Sequence, residues 1–154
     1  MPQPTRPTAQ YAAGDAWLAD CHALPAHVWK AWHADALAPI ASGAHWLVAE
    51  STVARGLPAA SRIPERRRGP VLIDPYGDRT WWLVPLEAAT ELADIRQVTV
   101  MPPGWVLHCP PVGREVERLH WLWSPDGSGL LTDPAVLAAA FGPGGYRPTT
   151  EAAR

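Results

Sequence analysis

The apolar positions along the chain change period part-way, from helical spacing in the first third to strand-like runs after it. Asp15 is placed to cap a short helix through Leu24, and Pro25 suits the first turn of a second. In that second helix Val28, Trp32, Ala36 and Ile40 recur every fourth residue, flanked by Trp29, His33 and Leu37. Such a stripe predicts an amphipathic helix ended by Pro39 and Gly43. His45–Glu50 reads as a strand, and Ser51 or Thr52 as the cap of a helix over Val53 to Ser61, with Pro58 counting against its second half.

The strongest local signal is GPVLIDPYGDRTWWLVP. Two apolar runs, Val71–Ile73 and Trp81–Val84, flank a Pro/Gly/Asp turn and predict a β-hairpin. A second hairpin is expected from Gln97–Met101, a Pro102–Pro103–Gly104 turn and Trp105–Cys109. Arg118–Trp123 reads as a further strand, and Asp133–Pro134 opens a short helix through Phe141. The sum is an α+β domain over residues 14–141, with five or six mostly antiparallel strands and three or four helices packed against the sheet. Residues 1–13, with three prolines, and 142–154, rich in Gly, Pro and Thr, read as flexible tails.

Composition narrows the classes. A chain of 154 residues suits one domain, which buries roughly two thirds of the surface its unfolded form exposes. Charged residues make up 18%, below the roughly 25% of a typical domain, so the surface is thinly charged. One lysine, no asparagine and abundant Ala, Arg, Pro and Gly match GC-rich codons, as in a high-GC bacterium, and much of the Arg-over-Lys bias follows from that. A net charge of −2 gives no global pull toward nucleic acid or anionic membrane. Met1 to Gln10 lacks the apolar core of a signal peptide, and no apolar run approaches the ~18–20 residues of a membrane span. Two cysteines make no disulfide framework. A cytoplasmic protein without membrane contact is expected.

Nine tryptophans are the most unusual feature. On adjacent strand positions Trp81 and Leu83 face one way, Trp82 and Val84 the other, and Trp121 and Trp123 share a face opposite His120 and Leu122. Two readings follow: Trp82, Trp121 and Trp123 form an aromatic platform for bases or a partner, or they lie in a sheet that helices bury on both sides. Arg62, Arg66, Arg67 and Arg68 form the one dense basic cluster, placed to hold phosphate or a nucleic-acid backbone, or else a solvated connector.

Catalytic and metal chemistry finds no motif. Cys21–His22 and His108–Cys109 are sequence neighbours whose side chains diverge on a helix or a strand, so each pair offers one ligand at a time. Glu115 and Glu117 would share a face of an extended segment, where two carboxylates can hold a divalent ion, but flanking arginines suit an exposed edge better. Asp74 and Asp78 bracket a turn for backbone reasons. Ser128 lacks a nucleophile elbow, and neither glycine-rich phosphate loop occurs. No catalytic residue, metal or cofactor is assigned.

GPVLIDPYGDRTWWLVP, then WVLHCPP, then HWLWSPDGSGLLTDP, resembles small uncharacterised proteins of high-GC bacteria. These look like trimmed relatives of the N-terminal domain of bifunctional primase/polymerase proteins. The stretch covers about half the chain, Gly69 to Pro134. The resemblance implies a compact sheet with helices against it. It also implies two acids separated by one hydrophobic residue on a core strand, and a later histidine. The corresponding strand here, His45–Glu50, offers Glu50 alone, and Glu115–Val116–Glu117 comes too late in the order, so no catalytic residue carries over. Three functions remain: a non-catalytic interaction or regulatory domain with a protein partner, a nucleic-acid-binding accessory protein, and a small hydrolase or transferase of unfamiliar design.

Overall fold

The structure is a computed structural model that describes residues 5–142. The predicted tail 142–154 lies outside these apart from Gly142, as do residues 1–4 of the other. The elements run α1 (Thr5–Ala19), α2 (Pro25–His33), β1 (Ala38–Ala41), β2 (Leu47–Ser51), α3 (Val53–Ser61), a 3-10 turn (Glu65–Arg67), β3 (Val71–Asp74), β4 (Arg79–Val84), α4 (Ala88–Glu91), β5 (Thr99–Val100), β6 (Val106–Cys109), β7 (His120–Trp123) and α5 (Pro134–Phe141). The fold is α+β, as the pattern predicts.

Five strands form an antiparallel sheet in the order β5-β2-β4-β3-β7, and β1 and β6 pair as a separate antiparallel ribbon. Alternation sends Leu47, Ala49, Val71, Trp82 and Val84 to one face, where Ala59, Ala60, Ala88, Leu92, Leu137 and Phe141 of the helical layer α3–α5 cover them. Val48, Leu72, Leu83 and Trp121 face the other way, under Leu18, Val28, Trp32, Ile40 and Leu107 from α1, α2 and the ribbon. The sheet is therefore the middle of three layers, and β2, β3 and β4 carry apolar runs because helices and the ribbon cover most of both faces.

Local chemistry sets several boundaries. Thr52 caps α3, its hydroxyl accepting the Arg55 N–H at 3.2 Å, and the helix continues through Pro58. Asp133 caps α5, accepting the Ala135 N–H at 2.7 Å with Pro134 in the first turn. Gly56 lets α3 approach the sheet: a Cβ there would lie 2.6 Å from Thr80 Oγ1 and 2.9 Å from Ser51 Oγ. Those two hydroxyls hydrogen-bond to each other beneath the helix.

Four expectations are corrected. Helix α1 starts at Thr5, so residues 5–13 are helical rather than a tail, and Asp15 sits inside the helix. Its carboxylate accepts the Val112 N–H at 2.7 Å instead of capping. Second, α2 stops at His33: Asp35 takes a left-handed conformation (φ 58°), the Ala36 N–H returns to Ala31 O, and the Asp35 N–H returns to Trp32 O. This closes the helix two turns early, and Ile40 belongs to β1. Third, Gln97–Met101 and Trp105–Cys109 do not pair as a hairpin. Strand β5 adds to β2 and β6 to β1, the Pro102–Gly104 turn being held by Gly104 N–H to Ser42 O. Fourth, Trp121 and Trp123 do not share a face. They pair with consecutive residues Leu72 and Val71, so Leu122 is the extra residue of a bulge, and Trp123 turns to the α3–α5 side.

Candidate functional site

The predicted basic cluster lies on the connector between α3 and β3, and the structure divides it. Arg62 donates to Ala140 O at 2.7 Å and satisfies a carbonyl near the end of α5. Arg68 donates through Nε to Ile63 O at 2.8 Å, and its guanidinium stacks 4.3 Å from the centre of the Trp123 ring. These two side chains fasten the connector to the helical layer and the sheet edge. Arg66 and Arg67 are exposed; Arg67 meets a carboxylate, Asp133, at 3.9 Å, and Arg66 meets none among the described residues.

The predicted tryptophans do not form an open platform. Trp82 is 0% exposed, and Trp121 is 7% exposed with its Nε1 donating to Pro110 O at 2.9 Å. Trp123 is half-buried, edge-on to Trp82 with 6.1 Å between ring centres. Stacking a base requires a free ring face. Trp82 and Trp121 have none, and Arg68 lies over Trp123.

Glu115 and Glu117 are not on a strand. Val116 and Leu119 bridge across a tight turn in which Glu117 (φ 50°) and Arg118 (φ 74°) are both left-handed, so the two carboxylates do not share an extended face. Glu50, the acid of the core strand, is already engaged: Trp81 Nε1 donates to it at 2.9 Å and Arg79 lies 3.6 Å away. The cysteines are buried and free. Burial pushes both thiols up, Cys109 far above the usual thiol range, which makes them poor nucleophiles. No group of three potential metal ligands occurs among the described residues.

What the sequence reading missed is a cleft. Arg66 and Arg67 of the 3-10 turn, Glu87 and Glu91 at either end of α4, Leu130 and Leu131, and Asp133 to Ala135 at the start of α5 surround an open depression of about 500 Å³. A neighbouring depression continues along α5 over Ala138 and Ala139, again beside Glu91. Exposed Leu86 (47%) and Leu130 (43%) add apolar surface on the same segments. Arginines and carboxylates line it together, Asp133 lying 3.9 Å from Arg67. The only hint in the sequence is PAVLAAAF, an eight-residue helix without a polar side chain.

No family model, curated protein or solved structure matches this chain. No described helix is long and apolar enough to cross a membrane. The site therefore has to be read from its own chemistry.

Proposed function

We propose that this chain is a non-catalytic interaction or regulatory domain, descended by its resemblance from a primase/polymerase-like module, and that it recognises protein. The observation that carries the reading is the placement of its chemistry-bearing side chains. Trp82, Trp121, Arg62, Arg68 and Glu50 all have partners inside the fold, while the cleft beside α5 has mixed charge and apolar edges. A nucleic-acid groove is predominantly basic, because each phosphate brings a negative charge. Glu87, Glu91 and Asp133 beside Arg66 and Arg67 would repel that backbone. Mixed charge around apolar residues suits a protein surface instead.

Two measurements on the full chain test this. Nucleotide incorporation on primed and unprimed templates, with Mg²⁺ or Mn²⁺, is expected to stay at background. Tryptophan fluorescence during oligonucleotide titration is expected to stay flat at low salt, confirmed by anisotropy of a labelled strand. Metal-dependent incorporation lost in Glu115→Ala or Glu117→Ala would overturn the reading. So would saturable quenching that weakens with salt and disappears when Arg66, Arg67 and Arg68 are replaced together by Ala.

A further inference from the structure

A guanidinium is cationic and carries a fork of N–H donors, and the fold uses only part of Arg68. Its Nε donates to Ile63 O at 2.8 Å, and its plane lies 4.3 Å from the centre of the Trp123 ring. The two terminal nitrogens have no acceptor, and the side chain makes no ion pair, among the described residues. Half-buried against Trp123, the cation has lost part of its water without gaining an anion.

Three segments meet beside it. Trp17 of α1 and the loop after β7, from Ser124 to Leu130, close a small pocket of about 20 Å³ with Arg68 and Pro70. Trp17 Nε1 has no acceptor among the described residues and faces Gly129, where a Cβ would lie 3.4 Å away. Gly129 is left-handed (φ 80°), a conformation that favours glycine, so the space before the indole N–H stays open. Exposed Ser124 adds a hydroxyl. Asp126 stands on the same wall, but its Oδ1 accepts the Ser128 N–H at 2.9 Å, and bonding to Ser128 holds its carboxyl below the usual range. That carboxylate is satisfied within its own loop.

Donors from three segments, one of them cationic, thus line a space only a little above the ~10–15 Å³ that one water needs. We infer that this pocket takes a carboxylate group presented by a partner protein, its two oxygens meeting the Arg68 guanidinium and the Trp17 indole N–H. This rests on the interaction reading above and names the chemical group by which the partner is held. Size and shape select the class. A carboxylate presents two oxygens in one plane, which matches a guanidinium fork, whereas phosphate carries four oxygens around a tetrahedral centre and needs more room. The group belongs either to a chain end or to an Asp or Glu side chain.

The test is proton–nitrogen correlation NMR of the full chain, with nine indole N–H signals expected and that of Trp17 identified by its loss in Trp17→Phe. Acetate, titrated at constant ionic strength, is expected to move the Trp17 indole and Gly129 amide signals along one saturating curve. The midpoint should be roughly millimolar, as suits a ligand of so few atoms. Inorganic phosphate should bind at least about tenfold more weakly than acetate. Arg68→Lys keeps the charge but not the fork and is expected to weaken acetate about tenfold. Arg68 also holds Ile63 O, so Trp17→Phe serves as a second variant that leaves that bond alone, and the Gly129 amide should report a severalfold loss. Asp126→Asn keeps an oxygen for Ser128 and removes a like charge, so acetate should bind more tightly.

Two peptides separate the sources of the group: acetyl-triglycine with a free carboxyl end, and amidated acetyl-Gly-Glu-Gly. Whichever binds more tightly assigns a chain terminus or a side chain. If neither peptide saturates the shift, the pocket does not admit a carboxylate attached to a chain and the inference falls. It falls equally if acetate does not saturate, if phosphate binds as tightly, if Asp126→Asn weakens acetate, or if Arg68→Lys and Trp17→Phe both leave its affinity unchanged. The interaction reading would still stand, since it fails only on incorporation or oligonucleotide binding.

Discussion

Gly56 shows how one contact can reverse a general rule. Replacing an exposed helical glycine by alanine usually stabilises a helix by about 0.5–1 kcal/mol. Here the added Cβ would meet the Thr80 and Ser51 hydroxyls at 2.6 and 2.9 Å, and these are short side chains on central strands that cannot swing away. Overpacking costs about 1–3 kcal/mol, which outweighs the propensity gain. Gly56→Ala is therefore expected to lower the urea midpoint, and an unchanged or higher midpoint would show that α3 can lift off the sheet freely. Asp15 gives a second case, in which pH decides. Burial raises its carboxyl pKa above the ordinary 3.8, outweighing the Val112 N–H and the more distant Arg114. An acid with a raised folded pKa holds its proton more tightly in the fold, so ionisation costs stability once pH exceeds the folded value. Asn keeps an oxygen for Val112 and carries no charge. Asp15→Asn is expected to match or exceed the wild type in urea near neutrality and to lose that advantage below 3.8. A deficit at neutral pH that disappears in acid would reverse the sign.

Several helix starts were legible because their signal is chemical and local, although Asp15, which carries the same signal, lies inside α1. Thr52, Asp133, Pro25 and Pro134 cap or open helices where their side chains predict, and the β3–β4 turn sits on its Pro/Gly/Asp residues. Boundaries set by distant partners were not legible. The four-residue spacing of Val28, Trp32, Ala36 and Ile40 continues past the end of α2 because Ile40 is apolar for another reason: it faces the core from β1, paired with Leu107. The stop is made by Asp35 in a left-handed conformation, a place usually held by glycine. Asp35→Gly removes the steric cost of that conformation, about 1–2 kcal/mol for an ordinary residue and less for Asp, against a glycine entropy cost of about 0.5–1 kcal/mol. It also loses an ion pair to Arg114 at 3.5 Å, but that aspartate is 83% exposed and the pair adds little. A net gain of a few tenths of a kcal/mol is expected in thermal or urea unfolding. A loss above about 1 kcal/mol would mean that Arg114 anchors α2 more strongly than an exposed pair should.

The candidate site was the least legible part, for a reason that belongs to the whole chain. Arg66, Glu87, Leu130 and Ala139 lie on four separate segments and only the fold brings three of them to one cleft and the fourth beside it. Tryptophan abundance, by contrast, pointed at once to a stacking surface and to a doubly covered sheet, and burial selects the second. That layering has a consequence for unfolding. The two apolar clusters share no side chain, yet they are the two faces of the same strands, Val48 and Leu83 on one side of the residues that carry Ala49 and Trp82 on the other. Melting either outer layer exposes one face of strands whose hydrogen bonds hold the other, so neither half has an independent core. Leu137→Ala in the α3–α5 layer and Leu18→Ala in the α1 layer each remove a fully buried leucine and are expected to cost about 2–5 kcal/mol. In each variant, tryptophan fluorescence and far-UV circular dichroism should shift together to a lower urea midpoint along one transition. If Leu18→Ala instead splits the curve, with fluorescence changing before the helical and strand signal, then α1, α2 and the β1–β6 ribbon form a separable layer. The sheet with α3–α5 would then be the unit that folds by itself.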